Sequence, residues 1–150
     1  MVSAFTERTG LVAGFSPQTT NGNKLWNGFL VTDSVAAAIV SSGGIGWGHG
    51  ITCTGRNLAV RATALNEIGG YSATKDSLSG DDDFLLQAVA VHPDWDVRYA
   101  KDAQSVVPSI GPSNFMSFIR QKQRHISAGK KFELKSQFGY LLYHGANFIL

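Results

Sequence analysis

A chain of 150 residues with 43% hydrophobic and 16% charged side chains has enough apolar surface for a buried core and too few charges for a disordered polymer. Its formal net charge is only +2, so whole-chain electrostatic affinity is excluded and no nucleic-acid partner is expected. A single cysteine, Cys53, excludes an internal disulfide framework and a cysteine-rich zinc site.

Seventeen glycines exceed the usual share of about 7% and point to a loop-rich α/β enzyme with many tight turns. In chain order, residues 11–15 (LVAGF) predict a short strand, closed by Ser16-Pro17 and a polar turn at Asn21-Gly22-Asn23. Residues 24–41 predict a helix, interrupted around Thr32–Ser34, and the glycine-rich run 43–50 (GGIGWGHG) predicts a flexible loop. In that loop Trp47 is expected to cover core, the more common role of so large an apolar ring.

Residues 52–61 then read as an extended segment, and 62–68 as a short helix stopped by Gly69-Gly70. Ser79 is expected to open a further helix with Asp81, Asp82 and Asp83 in its first turn, where the helix dipole favours carboxylates. His92-Pro93 stops it, and Asp94-Trp95-Asp96 reads as a turn. Residues 97–100 and 105–109 predict two short strands, and Pro112-Ser113-Asn114 starts a last helix that carries Phe115, Met116, Phe118 and Ile119 and ends near Gly129.

No Asp, Glu, Lys or Arg occurs between Asp33 and Arg56, but the glycines, the serines and His49 argue against a membrane span there. The first ten residues contain Glu7 and Arg8 and no apolar run of signal-peptide type. Residues 138–150 (FGYLLYHGANFIL) carry no formal charge and are too short to span a bilayer. The expected organisation is a catalytic portion at 1–137 and an apolar tail at 138–150, the possible start of a transmembrane segment.

Nucleotide-loop signatures fail: Gly44-Ile45-Gly46 is followed by His49 where GxGxxG needs glycine, and Lys131 stands where a phosphate loop needs Ser or Thr. His49 and Cys53 alone cannot complete a metal shell, so no metal ligand is assigned in this chain. What remains is an ordered set: residues 54–61 (TGRNLAVR), 67–71 (EIGGY), 80–83 (GDDD) and 121–125 (QKQRH).

In this order and at these separations the set resembles the acceptor-side half of the family 2 glycosyltransferases, the inverting group that includes the cellulose, chitin and hyaluronan synthases. The resemblance covers about residues 10–132. It implies an α/β fold of partial GT-A type, with a mixed sheet and flanking helices. It also implies a nucleotide-sugar donor, expected to be a UDP-sugar, and a carbohydrate or lipid hydroxyl acceptor. Mg2+ or Mn2+ is expected for the full-length enzyme and none on this portion, because the family's DxD motif at the end of an apolar strand has no counterpart here. The portion alone is then expected to be inactive, and the parent protein to work at the cytoplasmic face of a membrane.

On that resemblance the general base is Asp82 or Asp81, two registers of the acidic motif, with Asp83 as a supporting group; a capping box from Ser79 is the structural alternative. Arg124 is the expected contact of the leaving diphosphate, since a planar guanidinium holds two phosphate oxygens at once. Gln121, one turn earlier, shares its face. His125 occupies the position of the family's tryptophan, which weakens stacking against a long polysaccharide. Thr54, Gly55 and Asn57 are expected to line the acceptor side, and Arg56 faces either substrate or solvent. A non-enzymatic carbohydrate-binding or interaction domain is the rival reading.

Overall fold

The computed structural model describes residues 1–74 and 80–129. Ser79, with the capping box it would form, and the apolar tail at 138–150 lie outside the described residues. The regular elements are β1 (Thr9–Gly14), β2 (Gln18–Thr19), α1 (Lys24–Gly46), β3 (Leu58–Val60), α2 (Ala62–Glu67), α3 (Asp81–Ala90), β4 (Asp96–Ala100), β5 (Ser109–Ile110) and α4 (Phe115–Gly129). A mixed sheet in the order β3-β1-β4 forms the centre, with β1 antiparallel to β3 and parallel to β4. The expectation of a mixed sheet flanked by helices agrees with this architecture.

Every residue of β1 is buried. That burial accounts for its unbroken apolar run, because a strand covered on both faces has no polar side to show. Leu11 and Ala13 pack with Leu85, Leu86 and Val89 of α3 and with Ile45 near the end of α1. Leu11, Leu86 and Val89 are fully buried, and each contributes about 1.5–3 kcal/mol of transfer free energy. Gly10 sits where a Cβ would come within 2.9 Å of Val89 and 3.1 Å of Ala64, so the neighbouring helices close directly onto backbone.

The helix at residue 24 is longer than the sequence pattern suggests. Asn23 caps it by accepting from Leu25 N at 2.8 Å. Thr32 and Ser34 do not interrupt it, because their hydroxyls donate back to the carbonyls of Gly28 and Leu30. It runs through Gly43 and Gly44 to Gly46, so the flexible loop expected at 43–50 shrinks to its last few residues. Burial of Ile45 in the core overrides the weak helix propensity of glycine. A Schellman end then closes the helix: Gly48, at φ +77°, donates to Ile45 O at 3.0 Å and His49 to Gly44 O at 2.8 Å. That turn throws Trp47 outward, 84% exposed rather than over the core as expected.

Two expected strands are also shorter. Within 52–61 only Leu58–Val60 pairs, because Gly55–Asn57 forms a 3-10 turn. Buried Asn57 draws that turn inward, its amide donating to Phe15 O and Ser105 O at 2.8 Å each. Between 105 and 109 the chain forms a 3-10 turn at Ala103–Ser105 and reaches extended pairing only at β5, whose partner is β2. The turn expected at Asp94–Asp96 falls instead at Pro93-Asp94, because Asp96 already pairs with β1 and opens β4.

α4 begins at an Asn114 cap, whose Oδ1 accepts from Ser117 N at 2.9 Å, and it docks on α1. Trp26 stacks on Phe29 and Phe118 meets both edge-on, with the Phe29 and Phe118 centroids 5.0 Å apart. Lys122 meets Asp33 at 2.7 Å with both side chains largely buried. By length and composition α1 is also the one helix among the described residues apolar enough to cross a membrane. Here it lies on the domain, with Leu30, Ser34, Ser41, Gly44 and Ile45 buried and Leu25, Val35 and Ile39 exposed.

Replacing Asn57 with Ala leaves the buried Ser105 carbonyl without a donor, while Phe15 O keeps the N–H of Val107. The expected cost is about 1–3 kcal/mol of unfolding free energy, measured by urea denaturation.

Candidate active site

The site begins at the N-terminus of α3. Gly80 holds φ +88° and turns the chain into the helix, after which Asp81, Asp82 and Asp83 occupy the first turn, the favoured place for negative charge. Successive residues on a helix point about 100° apart, and the three carboxylates accordingly have three environments. Asp81 is exposed, Asp82 half-buried and Asp83 buried.

Asp83 Oδ1 accepts from Thr52 Oγ1 at 2.9 Å and from Cys53 N at 2.8 Å. Asp82 Oδ2 accepts from Gly55 N at 2.7 Å, and its Oδ1 accepts from Asp83 N at 3.1 Å. A Cβ on Gly55 would stand 3.3 Å from Asp82 Oδ2, so the missing side chain is what lets backbone approach the carboxylate. Two adjacent acids thus fasten the loop at 52–55 to the helix.

Burial, followed by the charge of Asp82, raises Asp83 to about 7, with the hydrogen bonds from Cys53 and Thr52 opposing the rise. Burial also pushes the Cys53 thiol well up, and the neighbouring carboxylates add to it. Desolvation lowers His125, against the pull of Asp82 and with the help of Arg124, Lys122 and Arg56. Its imidazole is therefore neutral at neutral pH, with one donor and one acceptor nitrogen.

One cavity lies beside this loop, and a second adjoins it through Gln18 and Gln121. The first, of about 90 Å³, is lined by Thr52, Cys53, Thr54 and Arg56 from the loop, Gln18, Asp33 and Ser34 from β2 and α1, and Gln121, Lys122 and His125 from α4. The second, of about 330 Å³, is lined by Gln18, Gln121, Arg120 and Arg124 among others.

The sequence-expected residues are therefore distributed as follows. Thr54, Gln121 and His125 meet at the first cavity, and Gly55 binds Asp82 beside Thr54. Arg124 lies on the adjoining cavity, which shares Gln121 with the first. Asn57 stands apart: buried and bonded to two backbone carbonyls, it braces the fold. Asp33, Lys122 and Gln18 were not singled out from the sequence. Asp33 did leave a signal, as the lone formal charge between Lys24 and Arg56.

Cys53, Asp82 and Asp83 place one ligand atom each within 4.8 Å of one another. The set does not fit Mg2+ or Mn2+. Hard cations prefer several oxygen ligands, whereas here one donor is a thiol held protonated and Asp83 Oδ1 already accepts two hydrogen bonds.

Fold and site define a mixed α/β protein with a polar cavity lined by Asp33, Arg56, Lys122 and His125 beside an acid-pinned loop. Residues 17–148 match the protein-family model described as Glycosyl transferase family group 2, and the chain belongs to that family. No curated protein and no solved structure matches it.

The raised Asp83 has a measurable consequence. Folded protein retains its proton up to about 7 while the unfolded chain releases it near 3.8. Stability therefore falls as pH rises through that window and levels off above it. Asp83→Asn keeps both hydrogen-bond acceptances without the titration. The unfolding free energy of the native chain minus that of Asp83→Asn is expected to decline between about pH 4 and pH 7, and a flat difference would show that Asp83 ionises normally.

Proposed function

We propose that the chain forms the acceptor side of an inverting glycosyltransferase centre, which moves a sugar from a nucleotide-sugar donor to a hydroxyl acceptor with Asp82 as the general base. The observation that carries this reading is the 2.7 Å contact between Asp82 Oδ2 and Gly55 N. It fixes a half-buried carboxylate against the Thr54–Gly55 turn, whose Thr54 lines the first cavity together with Arg56, Gln121 and His125.

The acceptor hydroxyl gives its proton to Asp82 as its oxygen attacks the anomeric carbon. A new carbon–oxygen bond forms on the face opposite the one that breaks, and the nucleoside diphosphate departs with the bonding electrons. Its growing negative charge meets Arg124 and the Gln121 amide. Asp81, exposed at the surface, is the weaker candidate for the base, and Asp83 acts by holding Thr52 and Cys53 in place. Thr54 and the neutral His125 are the acceptor contacts on this wall. The family's DxD motif, the Mg2+ or Mn2+ it holds and most of the UDP-sugar site are assigned to the donor half of the enzyme. Membrane association of the parent protein belongs to the same reading.

In the full-length protein, Asp82→Asn, which keeps one of the two N–H acceptances, is expected to lower kcat by about 10²–10⁴-fold with the fold retained by circular dichroism, and Asp81→Asn to stay within a few-fold of native. Undiminished transfer in both variants would remove the base from this turn. Calorimetric titration of the 150-residue chain with UDP and Mn2+ is expected to show no nanomolar site; a tight one would place the donor pocket on this chain.

A further inference from the structure

Among the described residues, one buried side-chain oxygen stands outside every hydrogen-bond network. Ser41, on the inward face of α1, is 6% exposed, and its Oγ has no partner. Other hydroxyls nearby are engaged: Ser34 Oγ donates to Leu30 O at 2.8 Å, Ser16 Oγ to Val107 O at 2.8 Å and Thr52 Oγ1 to Asp83 Oδ1 at 2.9 Å. Ser34 bonds back to the carbonyl one turn earlier in α1, whereas Ser41 does not. A buried hydroxyl in that state is costly unless a further group meets it.

The same serine lines a small cavity of about 60 Å³. Ser34, Ala37, Ala38 and Ser41 form its α1 wall, at the i, i+3, i+4 and i+7 spacing of one helix face. Phe15 and Ser16, just past the end of β1, and Tyr99 of β4 also line it. β1 and β4 are parallel, and the space outside the carboxyl ends of parallel strands is where α/β folds take ligands. Thr52, Cys53 and Thr54 line both this chamber and the first cavity, so the two adjoin.

Protein interiors are close-packed, and α1 elsewhere fills its buried face with Leu30 and Ile45. Here it carries only Ala and Ser. The space left holds about two to four water-sized groups, enough for a short substituent and too little for a sugar ring. Arg56, the charged residue on the lining, turns its guanidinium to Ser16 at 3.3 and 3.4 Å. Alanine methyls beside one unengaged hydroxyl, able to donate or accept, match a carbon arm that ends in a hydroxyl.

We infer that this chamber is a specificity pocket for the acceptor and takes a hydroxymethyl arm, whose hydroxyl pairs with Ser41 Oγ. The inference rests on the proposed function for assigning the arm to the acceptor, since the chamber adjoins the wall that carries Thr54. Ser41 is then a specificity-determining residue with no part in proton removal.

The test is titration of the 150-residue chain with methyl β-glucoside and with methyl β-quinovoside, which carries a methyl group in place of the hydroxymethyl. Binding is followed by NMR at the backbone amides of Ala37, Ala38 and Ser41. The glucoside is expected to bind with a Kd of about tens of millimolar, and the quinovoside about three- to tenfold more weakly. Ser41→Ala is expected to abolish that difference while its thermal midpoint holds or rises, because the hydroxyl has no partner in the unliganded fold. Ile39→Ala, on the exposed face of the same helix, should discriminate as the native chain does.

Equal affinity of the two glycosides for the native chain, no binding of either at about 100 mM, or discrimination that survives in Ser41→Ala overturns the pocket. The titration involves no transfer. Undiminished transfer in the Asp82 and Asp81 variants would therefore remove the base and leave this result standing, whereas lost discrimination removes the pocket and leaves the base.

Discussion

Two neighbouring carboxylates hold the site together. Asp83 accepts from Thr52 and Cys53, Asp82 accepts from Gly55, and between them the loop at 52–55 is pinned to the first turn of α3. Behind that turn the helix is anchored by Leu85, Leu86 and Val89 in the core. Core packing is thereby carried into the position of the loop. A displacement of α3 would move the Thr54–Gly55 turn with it, and the first cavity would lose the wall that faces α4.

The opposite wall is fastened differently. α4 is held by side chains: the Trp26–Phe29–Phe118 cluster, the bond from Trp26 Nε1 to Pro112 O at 2.9 Å, and the Lys122–Asp33 pair. The pair is costly to desolvate and is stable only while both charges are present, so it also specifies the register of α4 on α1. That register decides that Gln121 and His125 face the Thr54 turn while Arg124 opens onto the neighbouring cavity.

Charge is distributed across the cavity with the same economy. Asp83 is raised to about 7 by burial beside Asp82, which limits the negative charge the loop must tolerate. Desolvation and nearby cations keep His125 neutral. Arg56 shares the loop side with the acids, Arg124 opens onto the neighbouring cavity, and family membership supplies the chemistry of sugar transfer.

Amino-acid order alone determined a good deal here. It marked the buried run of β1, the glycine-stopped α2, the acids opening α3 and the Asn-capped α4, because each is written in local signals of periodicity and capping. The ordered motifs placed the chain among the glycosyltransferases before any coordinates. Tertiary structure decided what those signals leave open. Gly43 and Gly44 are helical because Ile45 beyond them finds a core, and Trp47 faces solvent because a Schellman turn follows. Asn57, spelled like a substrate contact, is occupied by two carbonyls from distant turns. Gln18, Asp33 and Lys122 become cavity residues only when β2, α1 and α4 converge, since packing between segments about a hundred residues apart leaves no periodicity in either one to read.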